Sequence, residues 1–302
     1  MKYGFGVDVG GTTIKMGLFR DDASLIEKWE IETNTENNGV NILDNICKSV
    51  YEKIESQEIS RNDISGIGIG VPGPVIPDGT VLKCVNLGWG VFNIEKELSE
   101  KSGLPVKAAN DANIAALGEA WQGAGKYRDS VIMVTLGTGV GGGIIIDGKI
   151  LPGVFGAAGE IGHIKVSNEN IPCGCGNTGC LEQYVSATGI VRLAKEYFPD
   201  NKRLKTAKDI FDAAAVGDSN ALRVVEEVGN ILGTALANLA CVVNPETIVI
   251  GGGVSKAGDI LLDVVKKNFI KRCFHACEKT EIAIADLGND AGIYGGAKLI
   301  LG

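Results

Sequence analysis

Short apolar runs alternate with segments of helical period along this chain, and clusters of glycine separate many of them. Residues 3 to 8 read as a strand, Val9 to Thr13 as a tight turn, and Ile14 to Phe19 as a second strand. A third strand is expected around Trp29 to Thr33. From about Val40 to Glu55, the apolar residues Ile42, Ile46, Cys47, Val50 and Ile54 recur at helical spacing. Ile64 to Val71 is strand-like and stops at Pro72-Gly73-Pro74. Asp78-Gly79 marks a hairpin, Asn86 to Trp89 a loop, and Asn93 the cap of a short helix that ends at Gly103 with Pro105 beyond. The strand Val106 to Ala109 then leads through Asn110-Asp111-Ala112-Asn113 into a small-residue helix reaching about Gly123.

After this helix the pattern starts again. Ser130 to Leu136 is a strand, Gly137 to Gly143 a glycine turn, Ile144 to Ile146 a second strand, and Asp147-Gly148 a two-residue hairpin into Lys149 to Leu151. Helices are expected from about Ser186 to Tyr197, Thr206 to Val216 and Asp218 to Val243, the last stopped by Asn244-Pro245. The strand Glu246 to Ile250 runs into Gly251-Gly252-Gly253, as the first half's strand runs into Pro72-Gly73. A helix near Ile260 to Phe269, a strand Glu281 to Ala285 and a helix near Ala291 to Leu301 follow. The chain reads as two weakly similar α/β halves.

Composition narrows the class. A length of 302 residues is enough for two domains with cores of their own. Glycine, at 43 of 302, is about twice the usual ~7%, which suits many turns where backbone approaches a ligand. A net charge of -8 argues against a nucleic-acid partner. The stretch 231 to 254 is broken by Asn238, Asn244, Pro245 and Glu246, so no membrane span is expected, and a start without signal-peptide features points to the cytoplasm. Cys47, Cys84 and Cys241 fall on apolar positions and read as small hydrophobes.

The segment from Gly156 to Glu182 carries the most specific chemistry. Cys173, Cys175 and Cys180 lie within eight positions, and His163, one of two histidines, lies ten residues upstream. A redox loop, or a disulfide with a spare thiol, is the competing reading. A C-x-C pair is too tight for easy disulfide geometry, however, and three thiols want the fourth partner that His163 supplies. The set fits a structural Cys3His zinc site with no open position for a catalytic water. Glu160 and Glu182 bracket it, and carboxylates of this kind bind polyols. Cys273, His275 and Cys277 alternate, which throws them to different faces and argues against a second cluster.

Two glycine and threonine turns, one in each half, suit the phosphates of a nucleotide. Backbone N–H groups of Gly10, Gly11, Thr12 and Thr13, and of Gly137, Thr138 and Gly139, can point at phosphate oxygens, with threonine hydroxyls adding donors. Plain hairpin glycines are the alternative for either turn alone, and their recurrence favours function. Asp8 is placed to hold the water shell of Mg2+, and Lys15 to neutralise phosphate or to face solvent. Gly137-x-Gly139-x-x-Gly142 matches a dinucleotide fingerprint, but a hairpin follows it where that fingerprint requires a helix. Asp111, at the first turn of a helix, is the candidate general base, although Asn110 or Asp111 could equally be the helix cap.

Together these residues resemble the sugar kinases of the ROK family (repressors, open reading frames and kinases), within the sugar kinase, Hsp70 and actin superfamily. The resemblance covers nearly all of the chain and looks most like the bacterial glucokinases. It rests on Asp8-Val-Gly-Gly-Thr-Thr, Asn110-Asp-Ala-Asn-Ile-Ala-Ala-Leu-Gly-Glu119, Leu136-Gly-Thr-Gly-Val-Gly-Gly-Gly143, Gly156-Ala-Ala-Gly-Glu-Ile-Gly-His163 and Cys173-x-Cys-Gly-x-x-Gly-Cys-Leu-Glu182. It implies two ribonuclease-H-like domains around a cleft, residues 1–108 with 290–302 forming one and 109–289 the other. It further implies zinc on His163, Cys173, Cys175 and Cys180, and Asp111 as base. Sugar contacts would come from Gly73, Asn110, Asp111, Glu160, His163 and Glu182, with His163 using one ring nitrogen for metal and the other for sugar. MgATP would lie on Asp8, Lys15 and the two turns, with the adenosine near Gly252 and Gly253. The implied reaction is ATP-dependent phosphorylation of glucose at O6 by a dimer or tetramer. Mannose, N-acetylmannosamine, N-acetylglucosamine or fructose are alternative substrates, and a sugar-responsive regulator without catalysis is the alternative of another class. An acidic chain whose first turn begins at Gly10 leaves little room for a preceding DNA-binding domain and argues against a repressor.

Overall fold

The computed structural model describes all residues from Met1 to Gly302. The chain falls into two compact units. The first comprises Met1–Tyr127, Gly143–Gly159 and Asn289–Gly302, and the second Arg128–Gly142 and Glu160–Gly288.

In the first unit, strands β1 (Tyr3–Val9), β2 (Thr13–Arg20) and β3 (Leu25–Glu32) form an antiparallel meander. After α1 (Glu36–Gly39) and α2 (Ile42–Ser56), β4 (Ile64–Val71) pairs parallel with β1. A small ribbon, β5 (Thr80–Val81) with β6 (Phe92–Asn93), precedes α3 (Ile94–Ser102) and β7 (Val106–Asn110), which adds parallel to β4. The sheet order is β3-β2-β1-β4-β7. Ile42, Ile46 and Val50 of α2 bury with Phe5, Val7, Ile67 and Ile69 in one apolar cluster.

Against β1, β4 and α4 (Asp111–Gln122) packs α10 (Ala291–Leu301), the last helix. This seam runs through glycines. A Cβ at Gly296 would stand 2.6 Å from the Gly68 carbonyl oxygen, and one at Gly118 2.9 Å from the Gly295 nitrogen, so the backbones touch directly.

The second unit's strands are β8 (Val131–Leu136), the first part of β9 (Val140–Ile146), β11 (Thr247–Gly251) and β12 (Glu281–Ile284), and β9 runs on into the first unit to pair with β10 (Lys149–Ile150). The order β10-β9-β8-β11-β12 repeats that of the first sheet, with β11 parallel to both β8 and β12. This repetition is the ribonuclease-H-like arrangement expected of each half. The helices α5 (Glu182–Val185), α6 (Ala187–Tyr197), α7 (Ala207–Ala215), α8 (Ser219–Val243) and α9 (Asp259–Arg272) complete it. The start of α8 is capped by the Asp218 carboxylate, and Asn244 stops it in the left-handed region with φ 52°. No helix is long and apolar enough to cross a membrane.

Three expectations change. The glycine turn is shorter than Gly137 to Gly143, because the strand resumes at Val140. Gly143 is a strand residue whose missing Cβ admits Ala116 of α4, which a Cβ would approach to 2.6 Å, so this glycine serves packing. Residues 109–127 and 143–159 group with the first unit, where the sequence assigned them to the second, because α4 packs on α10 and β10 packs on α4. Cys241 is exposed on α8, whereas Cys47 and Cys84 are buried.

Candidate functional site

In the first unit the candidate residues gather at the carboxyl ends of β1, β4 and β7. Asn110 is the N-cap of α4: its side-chain oxygen accepts from the Ala112 and Asn113 nitrogens at 2.9 and 3.3 Å. Its amide nitrogen donates to the Gly73 carbonyl at 3.3 Å, tying the end of β4 to the start of α4. With the cap supplied by Asn110, Asp111 occupies the first helical position, its Oδ1 accepting the Ala112 N–H at 2.8 Å. The ambiguity of the sequence is thereby resolved as to the cap.

Asp8 ends β1 nearby. Burial, and then the negative charge of Asp111, pushes its carboxyl up from 3.8 to about 6, while Lys15, its partner across the β1–β2 register, pulls it back. Lys15 Nζ also donates to the Asn289 carbonyl at 3.0 Å. A Cβ on Gly292 would lie 2.5 Å from Asp8 Oδ2, so α10 must present a glycine to the carboxylate. Cys84 is buried close by, and burial followed by the charge of Asp111 pushes its thiol up to about 11. The Gly10–Thr13 turn is held by the Gly10 N–H donating to the Thr13 carbonyl at 3.0 Å and the Thr33 hydroxyl donating to the Gly10 carbonyl at 2.8 Å.

In the second unit, one ligand atom from each of His163, Cys173, Cys175 and Cys180 lies within 4.8 Å of the others. Cys173 Sγ is 3.6 Å from His163 Nδ1, and Cys175 Sγ is 3.7 Å from Cys180 Sγ. A tetrahedron with ordinary zinc bond lengths has edges of about 3.6 Å between N and S and about 3.8 Å between two S atoms. These separations therefore suit a shared ion and are far too long for a disulfide. Burial chiefly pushes the Cys180 thiol up to about 12, while the Asn177 N–H lowers Cys175. His163 Nε2 faces the other way, 3.9 Å from Glu160 Oε2. The alternating Cys273, His275 and Cys277 do not share this geometry: Cys277 is buried with its thiol 3.5 Å from the Ala240 carbonyl, and Cys273 approaches the Ile270 carbonyl at 3.7 Å.

Glu182 has a role that the sequence did not signal. Its Oε2 accepts the Val140 N–H at 3.1 Å, and it lies where a Gly139 side chain would have to go. Its Oε1 is 3.9 Å from Cys173 Sγ. One carboxylate thus touches both the cysteine loop and the second glycine turn. Gly252, with φ 85°, packs against Leu136 immediately before that turn, where a Cβ would stand 2.5 Å from the Leu136 carbonyl oxygen. Gly253 has open space around its Cα. No composition or spacing signal could have shown these approaches, which depend on elements distant in sequence.

Comparison with known proteins agrees with this architecture. The ROK family pattern matches residues 4–302. The chain is 48% identical to a glucokinase of Halalkalibacterium halodurans, over 98% of this chain and 94% of that protein. It is 35% identical to an N-acetyl-D-glucosamine kinase of Aliivibrio fischeri, over 99% of each. The crystal structure of a ROK family glucokinase from Streptomyces griseus in complex with glucose and AMPPNP superposes with a TM-score of 0.77 at 36% identity, covering 98% of both chains. Repeated sheets, glycine turns and a Cys3His loop accompany a family match that spans almost every residue, and the chain belongs to the ROK family.

Proposed function

We propose that the chain is an ATP-dependent sugar kinase that phosphorylates glucose at O6. The observation that carries this reading is the 48% identity, over 98% of the chain, to a glucokinase. Asp111 is the base: it takes the proton of the O6 hydroxyl as that oxygen bonds to the γ-phosphorus, the bond to the β–γ bridging oxygen breaks, and ADP leaves. Asn110, Gly73, Glu160, His163 and Glu182 orient the sugar hydroxyls. Backbone N–H groups of Gly10 to Thr13 and Gly137 to Gly139 take the phosphates, and the nucleoside lies by Gly252 and Gly253, with the open side of Gly253 leaving room for it.

Mg2+ bound with the nucleotide supplies charge neutralisation at the transferring group. Asp8 would hold that ion through its water shell. Zinc is the ion for His163 Nδ1, Cys173, Cys175 and Cys180, where four protein ligands leave it a structural role. Bound there, it would tie His163 to the cysteine loop and so hold the segment from Glu160 to Glu182.

Turnover with MgATP across glucose, mannose, fructose, N-acetylglucosamine and N-acetylmannosamine tests the reading. Glucose is expected to lead. The 35% identity to an N-acetyl-D-glucosamine kinase makes that sugar the second candidate. Absence of turnover with every sugar would overturn the kinase assignment. Asp111→Asn is expected to retain glucose binding and lose on the order of 10^2- to 10^4-fold in rate. A near-normal rate would remove Asp111 from the chemistry.

A further inference from the structure

The second glycine turn is held from one side by the segment that follows the cysteine loop. The Gly137 carbonyl accepts the Ala187 N–H at 2.8 Å, and the Thr138 carbonyl accepts the Thr188 hydroxyl at 3.1 Å. Both donors stand at the start of α6, whose cap, Ser186, is buried and bonds the Gly189 N–H at 3.1 Å and the Thr188 hydroxyl at 3.0 Å. The third tie is Glu182, which accepts the Val140 N–H at 3.1 Å.

A trans peptide sets the C=O of one residue opposite the N–H of the next. Pinning the Gly137 carbonyl toward α6 therefore turns the Thr138 N–H away from α6. Pinning the Thr138 carbonyl does the same to the Gly139 N–H. Two successive N–H groups are left facing the side opposite the helix, the disposition that receives an anionic oxygen. Glu182 holds the end of the turn through Val140, its carboxylate lying where a side chain at 139 would stand.

We propose that Thr188 is a positioning residue for the phosphoryl donor: through the Thr138 carbonyl it fixes the orientation of the Thr138–Gly139 peptide, whose N–H receives a phosphate oxygen. The same segment begins at Cys180 and Leu181, with the Leu181 N–H on the Ile164 carbonyl at 2.9 Å, so the cysteine loop and the turn are braced as one piece. This inference rests on the reading of the Gly137–Gly139 turn as a phosphate site, and it assigns that site a support of its own.

Thr188 is exposed, so Thr188→Val removes the hydroxyl donor with little change of shape. Calorimetric titration with AMPPNP and Mg2+ is expected to show a Kd raised about two- to tenfold, the effect of losing one hydrogen bond. The glucose Kd should be unchanged, and Thr188→Ser should return the nucleotide Kd to within about twofold of the unsubstituted protein. A second readout is amide hydrogen exchange over residues 138 to 140, expected to speed up in Thr188→Val. An unchanged nucleotide Kd, or nucleotide and glucose Kd values rising together, would overturn the positioning role, as would unchanged exchange. If the unsubstituted protein binds no nucleotide, the phosphate reading of the turn fails, and the positioning role with it. Binding by the unsubstituted protein with an indifferent Thr188→Val sinks the positioning role alone.

Discussion

Asp8 is predicted to be a residue that the protein would be more stable without. Its carboxyl is raised from 3.8 to about 6 because burial and the facing Asp111 both disfavour the charged form. Between those values the folded chain holds a proton that the unfolded chain has released, so stability falls as pH rises from about 4 to about 6. Above that window the whole penalty is present, about 3 kcal/mol for a shift of this size. The start of α10, whose Gly292 abuts the carboxylate, favours the ionised form and offsets about 0.3–1 kcal/mol, leaving roughly 2 kcal/mol. Asp8→Asn keeps the shape and removes the charge. In urea unfolding without nucleotide, the variant should exceed the unsubstituted protein by about 2 kcal/mol at pH 7.5 and match it near pH 4. Trp29, Trp89 and Trp121 all lie in the first unit, so tryptophan fluorescence reports the unit that contains Asp8. Turnover should fall in the same variant, a strained carboxylate retained for function. Equal or lower stability of Asp8→Asn at pH 7.5 would refute the argument that burial and Asp111 burden this residue.

Two further outcomes follow from packing and from the cysteine loop. Gly295→Ala places a Cβ 2.5 Å from the Ile114 carbonyl carbon, and such overpacking costs about 1–3 kcal/mol. Parting α10 from α4 also moves Asp111, so both Tm and kcat should drop, and an unaltered Tm would show that the seam yields freely. Metal analysis is expected to find about one zinc per chain. Chelation should make residues 165–180 susceptible to proteolysis, whereas a metal-free protein with a resistant loop would remove the ion from the structure.

What could be read from the sequence was what is local. The Cys3His set lies between positions 163 and 180, and its spacing alone brings the ligands into reach. Asn110 and Asp111 announced a helix start because a polar pair after an apolar strand has few other uses, and the structure then gave the cap to Asn110. The duplicated sheet order was foreshadowed by two strand, turn, strand openings. Other features could not be read. Gly141 to Gly143 look like a turn by composition, yet they belong to a strand, and Gly143 lies against Ala116 of α4. The approach of Gly292 to Asp8, of Cys84 to Asp111 and of Glu182 to Val140 depends on registers between segments far apart in the chain.

The glycine seam beneath α10 has a consequence for how the chain acquires its structure during synthesis. β1, β4 and α4 emerge from the ribosome long before α10, yet α10 covers one side of all three. Until it arrives, Gly6 and Gly68 present bare backbone and their apolar neighbours to water. The first unit to be made is therefore among the last to be finished, and its closure is a long-range step with the slow kinetics that such steps carry. A nascent chain waiting in that state is a substrate for chaperones and proteases, and the time it spends there is set by the translation of the whole second unit.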